Sequence, residues 1–175
     1  MQIKMPYSDA ITRKYPEAVV IALAREESGK CNPITLGWSM ITSIEPPMMA
    51  ISIGHTRYSH EVIRRAGEFV IAFPSAAMAE DALFFGTHSG REMDKLAERA
   101  APTSSAAEID CVLLADAVAN FECVLDGQFE TGDHTIFSGR VVAAHANEDD
   151  ALGRLYTLAQ GYEMGGVQTR PSTED

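Results

Sequence analysis

The chain has 175 residues, 46% of them hydrophobic and 22% charged, which suits one compact domain with its own core and excludes wholesale disorder. Its net charge of −11 excludes a nucleic acid or anionic membrane held by a general positive field. Any phosphate ligand must be gripped locally, by a helix N-terminus or a single arginine.

Taken in chain order, "MQIKMPYSDAITRKYPEAVV" has no apolar stretch after its charges, so it is not a secretory signal. The apolar run Val19 to Ala24 falls far short of the about 20 residues that span a bilayer. Cys31, Cys111 and Cys123 are odd in number and form no C-x-x-C pair. They lie near no histidine at zinc spacing. They read as reduced, buried thiols, and a soluble cytoplasmic protein with no membrane or nucleic-acid partner is expected.

"EAVVIALA" (17–24) reads as a strand closed by the turn-rich "REESGKCNP". "ITLGWSMITSI" (34–44) reads as a second strand, ended by Glu45-Pro46-Pro47, since proline lacks the N–H that a ladder needs. "MMAISIG" (48–54) is a third. "SHEVIRRAG" (59–67) is a helix with Ser59 as N-cap, Arg64 and Arg65 in its last turn and Gly67 as its stop. "EFVIAFP" (68–74) alternates Phe69, Ile71 and Phe73, as a strand does. Residues 76–101 read as helical, interrupted at Gly86 and Gly90, and "PTSSAAEID" as a loop. Residues 117–147 hold two long strands around Asp126-Gly127 and Gly132-Asp133, and the tail from Gly161 reads as extended or flexible. Strands dominate, no ladder of βαβ units exists and no G-x-G-x-x-G or Walker glycine loop appears. The expected fold is mainly β with inserted helices, an antiparallel barrel in a single domain over 1–175 with its core at about 15–160.

Four stretches hold candidate site residues. Gly37, inside an apparent strand with Thr35, Trp38 and Ser39, marks either a bulge with a packing tryptophan or the close approach of a flat heterocycle to main-chain groups. Arg57 and Ser59 precede or open a helix, where free N–H groups and a guanidinium suit a phosphomonoester; an ordinary cap beside a surface arginine is the alternative. "THSGREMDK" (87–95) is either a mobile loop over a site or a helix start with solvated charges. His134, after Gly132-Asp133, is either exposed at a turn or placed to meet a ligand near neutral pH. No serine or cysteine nucleophile has an evident partner, so a hydrolase triad has no support.

The order Asn32-x-x-Thr35, "SIEPP" (43–47), "SIG" (52–54), Arg57-x-Ser59, "GEFVIAFP" (67–74), "HSGREMDK" (88–95) and "GDHTIFSGRV" (132–141) resembles the flavin reductase-like proteins, to which flavoredoxin belongs. The resemblance covers roughly residues 15 to 160 and implies the FMN-binding split β-barrel. It implies that Thr35, Leu36, Gly37 and Trp38 border the isoalloxazine ring and ribityl chain, continued by Ser52, Ile53 and Gly54. Arg57 and Ser59 would hold the phosphate, and Ser89, Arg91 and Lys95 would lie near the flavin, often across a dimer interface. His134 would face flavin or nicotinamide as the residue closest to a catalytic role. Gly37-Trp38 departs from the usual Asn, Ser or Ala. In 152–166, Arg154-Leu155 stands where Pro-Leu is common, and Tyr156 and Tyr162 are present. The implied function is an FMN-dependent oxidoreductase of NADH or NADPH that passes electrons to a second acceptor, as a homodimer. The alternatives are a non-enzymatic FMN electron carrier reduced by a protein partner, or a split barrel without flavin.

Overall fold

The computed structural model describes residues 1–167. A short helix α1 (Tyr7–Ala10) precedes β1 (Glu17–Ala18), β2 (Val20–Arg25), β3 (Cys31–Leu36), β4 (Ser39–Ser43) and β5 (Met48–Gly54). Then come α2 (Tyr58–Ala66), β6 (Glu68–Pro74), α3 (Ala79–Thr87), α4 (Lys95–Arg99) and the paired β7 (Thr103–Ser105) and β8 (Val112–Leu114). The chain ends in a long hairpin, β9 (Ala117–Thr131) and β10 (His134–Ala146), followed by β11 (Leu155–Ala159) and β12 (Glu163–Gly166).

The main sheet has seven strands in the order β3-β2-β6-β9-β10-β5-β4, every pair antiparallel. Its end strands β3 and β4 do not pair with each other, so the sheet curls without closing, as the split barrel requires. β2 is buried along nearly its whole length because both faces are covered. Val20, Ala22 and Ile34 face the barrel interior with Ile51, Ile53, Phe69, Phe137 and the Val62–Ile63 face of α2. Ile21, Leu23, Val70 and Ala72 face outward under Met78, Ala82, Phe85, Leu114 and Leu155. β1, β11 and β12 form a separate small sheet.

Several expected elements differ. The strand expected over 17–24 is split at Val19, and its first two residues pair with β11 instead of the main sheet. The strand expected over 34–44 is two strands, since the backbone bends at Gly37-Trp38 and β3 already begins at Cys31. β4 and β5 do form a hairpin, with the Ile44–Pro47 turn containing a cis Glu45–Pro46 bond. Ser59 is not the N-cap of α2: Arg57 holds that position, and Ser59 is buried in the first turn. Gly67 does stop the helix, at φ 69°, a left-handed conformation that favours glycine. Gly86 lies inside α3 rather than breaking it, "PTSSAAEID" contains β7, and residues 163–166 of the expected tail form β12. The rest of that tail, 168–175, lies outside the described residues. All three cysteines are free and buried. Among the described residues no helix is long and apolar enough to cross a membrane.

Glu122 on β9 is fully buried in the middle of this framework. Its carboxylate accepts the backbone N–H groups of Ala107, Glu108 and Ile109 at 2.8, 2.7 and 3.1 Å. His145 Nε2 adds a contact of 2.6 Å. Burial works against the charge, but these donors outweigh it and hold the pKa below the ordinary glutamate range. The carboxylate thereby pins the 107–109 loop to the sheet.

Candidate functional site

A cavity of 620 Å³ opens where the main sheet meets the small one. Thr35 and Leu36 at the end of β3, the Gly37-Trp38 bend, and Ser52 and Gly54 of β5 form one wall. Ala82, Gly86 and Thr87 of α3 form another, and Glu17, Thr157, Gln160, Gly161, Tyr162 and Met164 close the third. The bend exists because β4 must leave β3 to pair with β5, and Ser52 N donates to Trp38 O at 3.0 Å. A Cβ on Gly37 would sit 3.0 Å from Glu17 Oε2, and one on Gly54 would sit 3.4 Å from His134 Nε2. Glycine at these two positions lets opposing walls approach and leaves main chain facing the space.

Trp38 and His134 share the wall, their ring centroids 4.7 Å apart and tilted by 43°. The β5–β10 register sets His134 opposite Gly54. His134 Nδ1 lies 2.6 Å from Asp133 Oδ1, a contact that holds the Asp133 carboxyl below its usual range and fixes the imidazole so that Nε2 faces Gly54.

A second compartment of 150 Å³ neighbours the cavity and shares Arg57, Gly86 and Thr87 with it. Ser59, Ser89, Arg91 and Lys95 line this end, beside the first turn of the nine-residue helix α2. Arg57 pairs with no carboxylate among the described residues. Ser59 Oγ accepts from Asn32 Nδ2 at 2.7 Å, which leaves its own proton to donate toward the compartment. Arg91 lies over the Tyr58 ring at 4.8 Å and reaches Glu61 Oε2 at 3.4 Å. Free N–H groups, a helix N-terminus and guanidinium groups make this an anion pocket in an otherwise acidic molecule.

Two expected residues have different surroundings from those the family resemblance implies. Ile53 is fully buried in the barrel interior and does not reach the cavity. The Lys95 ammonium is buried and donates to the carbonyls of Pro33, Phe85 and His88, so it ties the end of α3 to β3 and has no N–H left for a ligand. Burial pushes its pKa down to about 8; Glu26 opposes and Arg57 reinforces the shift. Ser89 and Arg91 reach the compartment from the same chain as Arg57. Sequence reasoning did not place Gly86 at the site, held Thr87 only within a candidate loop, and left open the role of the 152–166 segment that supplies the 157–164 wall. Gly86 carried a signal, since a glycine inside a helix marks close packing, and a Cβ there would meet Thr35 Cβ at 3.3 Å. A further groove of 480 Å³ lies elsewhere, but Glu26, Glu27, Glu61, Glu68 and Asp110 line it against anions.

The chain thus combines a curled antiparallel sheet, a glycine-lined shelf with Trp38 and His134, and a neighbouring compartment rich in donors. The Flavin reductase like domain matches residues 12–165, and the chain belongs to that flavin-binding family. It is 29% identical over 150 residues to the NADH-dependent flavin reductase of Pseudomonas fluorescens, which covers 85% of this chain and 82% of that one. Its fold is similar to flavoredoxin from Methanosarcina acetivorans, with a TM-score of 0.85 at 22% identity, covering 97% and 93% of the two chains. It is also similar to the FMN-binding protein from Thermus thermophilus with bound 1-cyclohex-2-enone, with a TM-score of 0.80 at 26% identity, covering 98% and 97%.

Proposed function

We propose that the chain binds FMN and reduces it with NADH or NADPH, delivering the electrons to a second acceptor. The observation that carries this reading is that the glycine-lined Trp38–His134 cavity adjoins the compartment at Arg57 and Ser59, the two sharing Arg57, Gly86 and Thr87. The cavity volume of 620 Å³ falls within the about 300–1,000 Å³ of cofactor sites, and the 150 Å³ end is sized for a terminal phosphate. The flavin would supply the hydride chemistry, so the protein's task is to bind, orient and exclude water.

In this reading Thr35, Leu36, Gly37 and Trp38 border the ring with Ser52 and Gly54, and Arg57, Ser59, Ser89 and Arg91 take the phosphate. Lys95 acts through the α3 end that it anchors, and Ile53 through the packing beneath Ser52 and Gly54. His134, oriented by Asp133, sets the face on which nicotinamide docks. Tyr162 and its turn shield the opening. No side chain has to move a proton in this reading. Anaerobic stopped-flow mixing of the FMN-loaded chain with NADH and with NADPH tests the proposal: prompt bleaching of the flavin band is expected, and bleaching far slower than turnover with either donor overturns it.

The flavoredoxin likeness favours one second reading, a carrier that binds FMN and takes its electrons from a protein partner. Slow bleaching by nicotinamide with fast bleaching by a reduced electron-transfer protein distinguishes it. We also propose a homodimer. The edge strand β4 and its turn leave Met40, Ile41 and Ile44 at 54%, 72% and 88% exposure, an apolar row that a second copy can cover.

A further inference from the structure

On the outer side of the 54–60 turn, away from the cavity, two histidines and a glutamate converge from three elements. His55 comes from the turn after β5, His60 from α2 and Glu130 from the end of β9. One ring nitrogen of each histidine and one carboxylate oxygen lie within 4.8 Å of one another. His55 Nε2 is 2.8 Å from Glu130 Oε2, and the two imidazoles meet edge to face with centroids 5.4 Å apart.

The surroundings fix this cluster. Thr135, fully buried, has one hydroxyl proton and gives it to Glu130 Oε1 at 3.0 Å. The 2.8 Å contact between His60 Nε2 and Thr135 Oγ1 is therefore a donation by the histidine, which leaves His60 Nδ1 with its lone pair and no hydrogen-bond partner among the described residues. The backbone holds the other side, since His55 N donates to Asp133 O at 3.0 Å. Metal-ligating histidines commonly donate their other ring N–H to an oxygen acceptor that fixes the ring, and Thr135 takes that place for His60 while also holding Glu130.

We propose that His55, His60 and Glu130 bind a divalent transition-metal ion of the zinc class, with a fourth position left to water. Two imidazoles and one carboxylate are a known donor set for such an ion. Ligand distances of about 2.0–2.2 Å place tetrahedral donors roughly 3.3 Å apart, so the 2.8 Å His55–Glu130 pair opens by about half an ångström as the ion replaces the shared proton. His55 and Glu130 are exposed, so the ion enters from solvent and the site needs no opening motion. Bound metal clips the turn preceding α2 to the β9–β10 hairpin.

The test uses the tag-free chain as purified, with no flavin added, titrated with Co2+ and read by the d–d absorption, and with Zn2+ by equilibrium dialysis. One ion per chain with micromolar or tighter affinity is expected. H55A and E130A should each weaken binding at least tenfold, while E148Q, at an exposed carboxylate elsewhere, should bind as the parent chain does. Far-UV circular dichroism and an unchanged melting transition confirm that the variants fold. Less than one ion per parent chain at micromolar metal, or equal affinity in H55A and E130A, overturns the proposal; the latter assigns any binding to the acidic surface.

Discussion

Replacing Arg57 by alanine separates the anion pocket from the ring shelf. Arg57 lies where the two compartments join, at the N-cap of α2, and pairs with no carboxylate among the described residues. A hydrogen bond to a charged group contributes about 1.5–3 kcal/mol. Arg57 is exposed, so solvent screens it and the lower part of that range applies, about 1.5–2 kcal/mol. That corresponds to a Kd for FMN raised roughly 10- to 30-fold. Riboflavin has the same ring and ribityl chain without the phosphate, and its Kd should stay within about twofold. R57K should fall between, because lysine keeps the charge but loses the planar fork. Titration of FMN and riboflavin in parallel, followed by quenching of flavin fluorescence, gives both constants for each variant. Equal weakening of the two flavins, or an unchanged FMN constant, would refute the assignment of Arg57 to the phosphate.

H134A should slow hydride transfer from NADH by about tenfold, the size of effect expected when an orienting contact of about 1.4 kcal/mol is removed; unchanged bleaching in anaerobic stopped flow would remove His134 from the mechanism. E122Q should lower stability by about 2–3 kcal/mol, because an amide cannot accept as strongly from three backbone N–H groups and must turn its NH2 toward one of them. The sign of its pH dependence follows from the depressed pKa of Glu122: the unfolded chain binds the proton more tightly. The stabilisation is therefore whole above the unfolded value of about 4.3 and is lost as pH falls through the lower folded value. Melting temperatures of parent and E122Q should converge as pH falls below about 4, and parallel curves would contradict this. G139A should cost about 1–3 kcal/mol in urea unfolding, since its Cβ would lie 2.7 Å from Phe69 Cζ and 2.9 Å from Cys123 Cβ in the barrel interior. An unchanged midpoint would mean that the interior yields more easily than its packing indicates.

Much of the fold was legible because local patterns agreed with the tertiary outcome. β6 occupies 68–74 as its alternation predicts, Gly67 ends α2, and Gly132-Asp133 turns the long hairpin. The expectation failed where long-range pairing overrode the local pattern. Nothing in "ITLGWSMITSI" announces that its first half pairs with β2 and its second with β5, which forces the bend at Gly37-Trp38. Ser59 has the chemistry of a cap but sits two residues too late, because Arg57 N bonds Gly54 O and the helix begins at Tyr58. Within the site, Arg57 and His134 were visible through short motifs. The role of Lys95 was not, since its three carbonyl partners lie at residues 33, 85 and 88. The role of the Tyr162 segment stayed open for the same reason: β11 and β12 reach the cavity by pairing with each other and with β1.

The cavity draws its walls from Lys14 at one end of the chain to Met164 near the other. Residues 14–87 supply most of the lining, but His134 and the 157–164 wall come from far later in the chain, so a chain still being translated lacks a complete site until β12 has emerged and docked. Ligand captured at that moment acts as a latch on the finished molecule, and its stabilising effect falls on the whole domain rather than on any early folding unit.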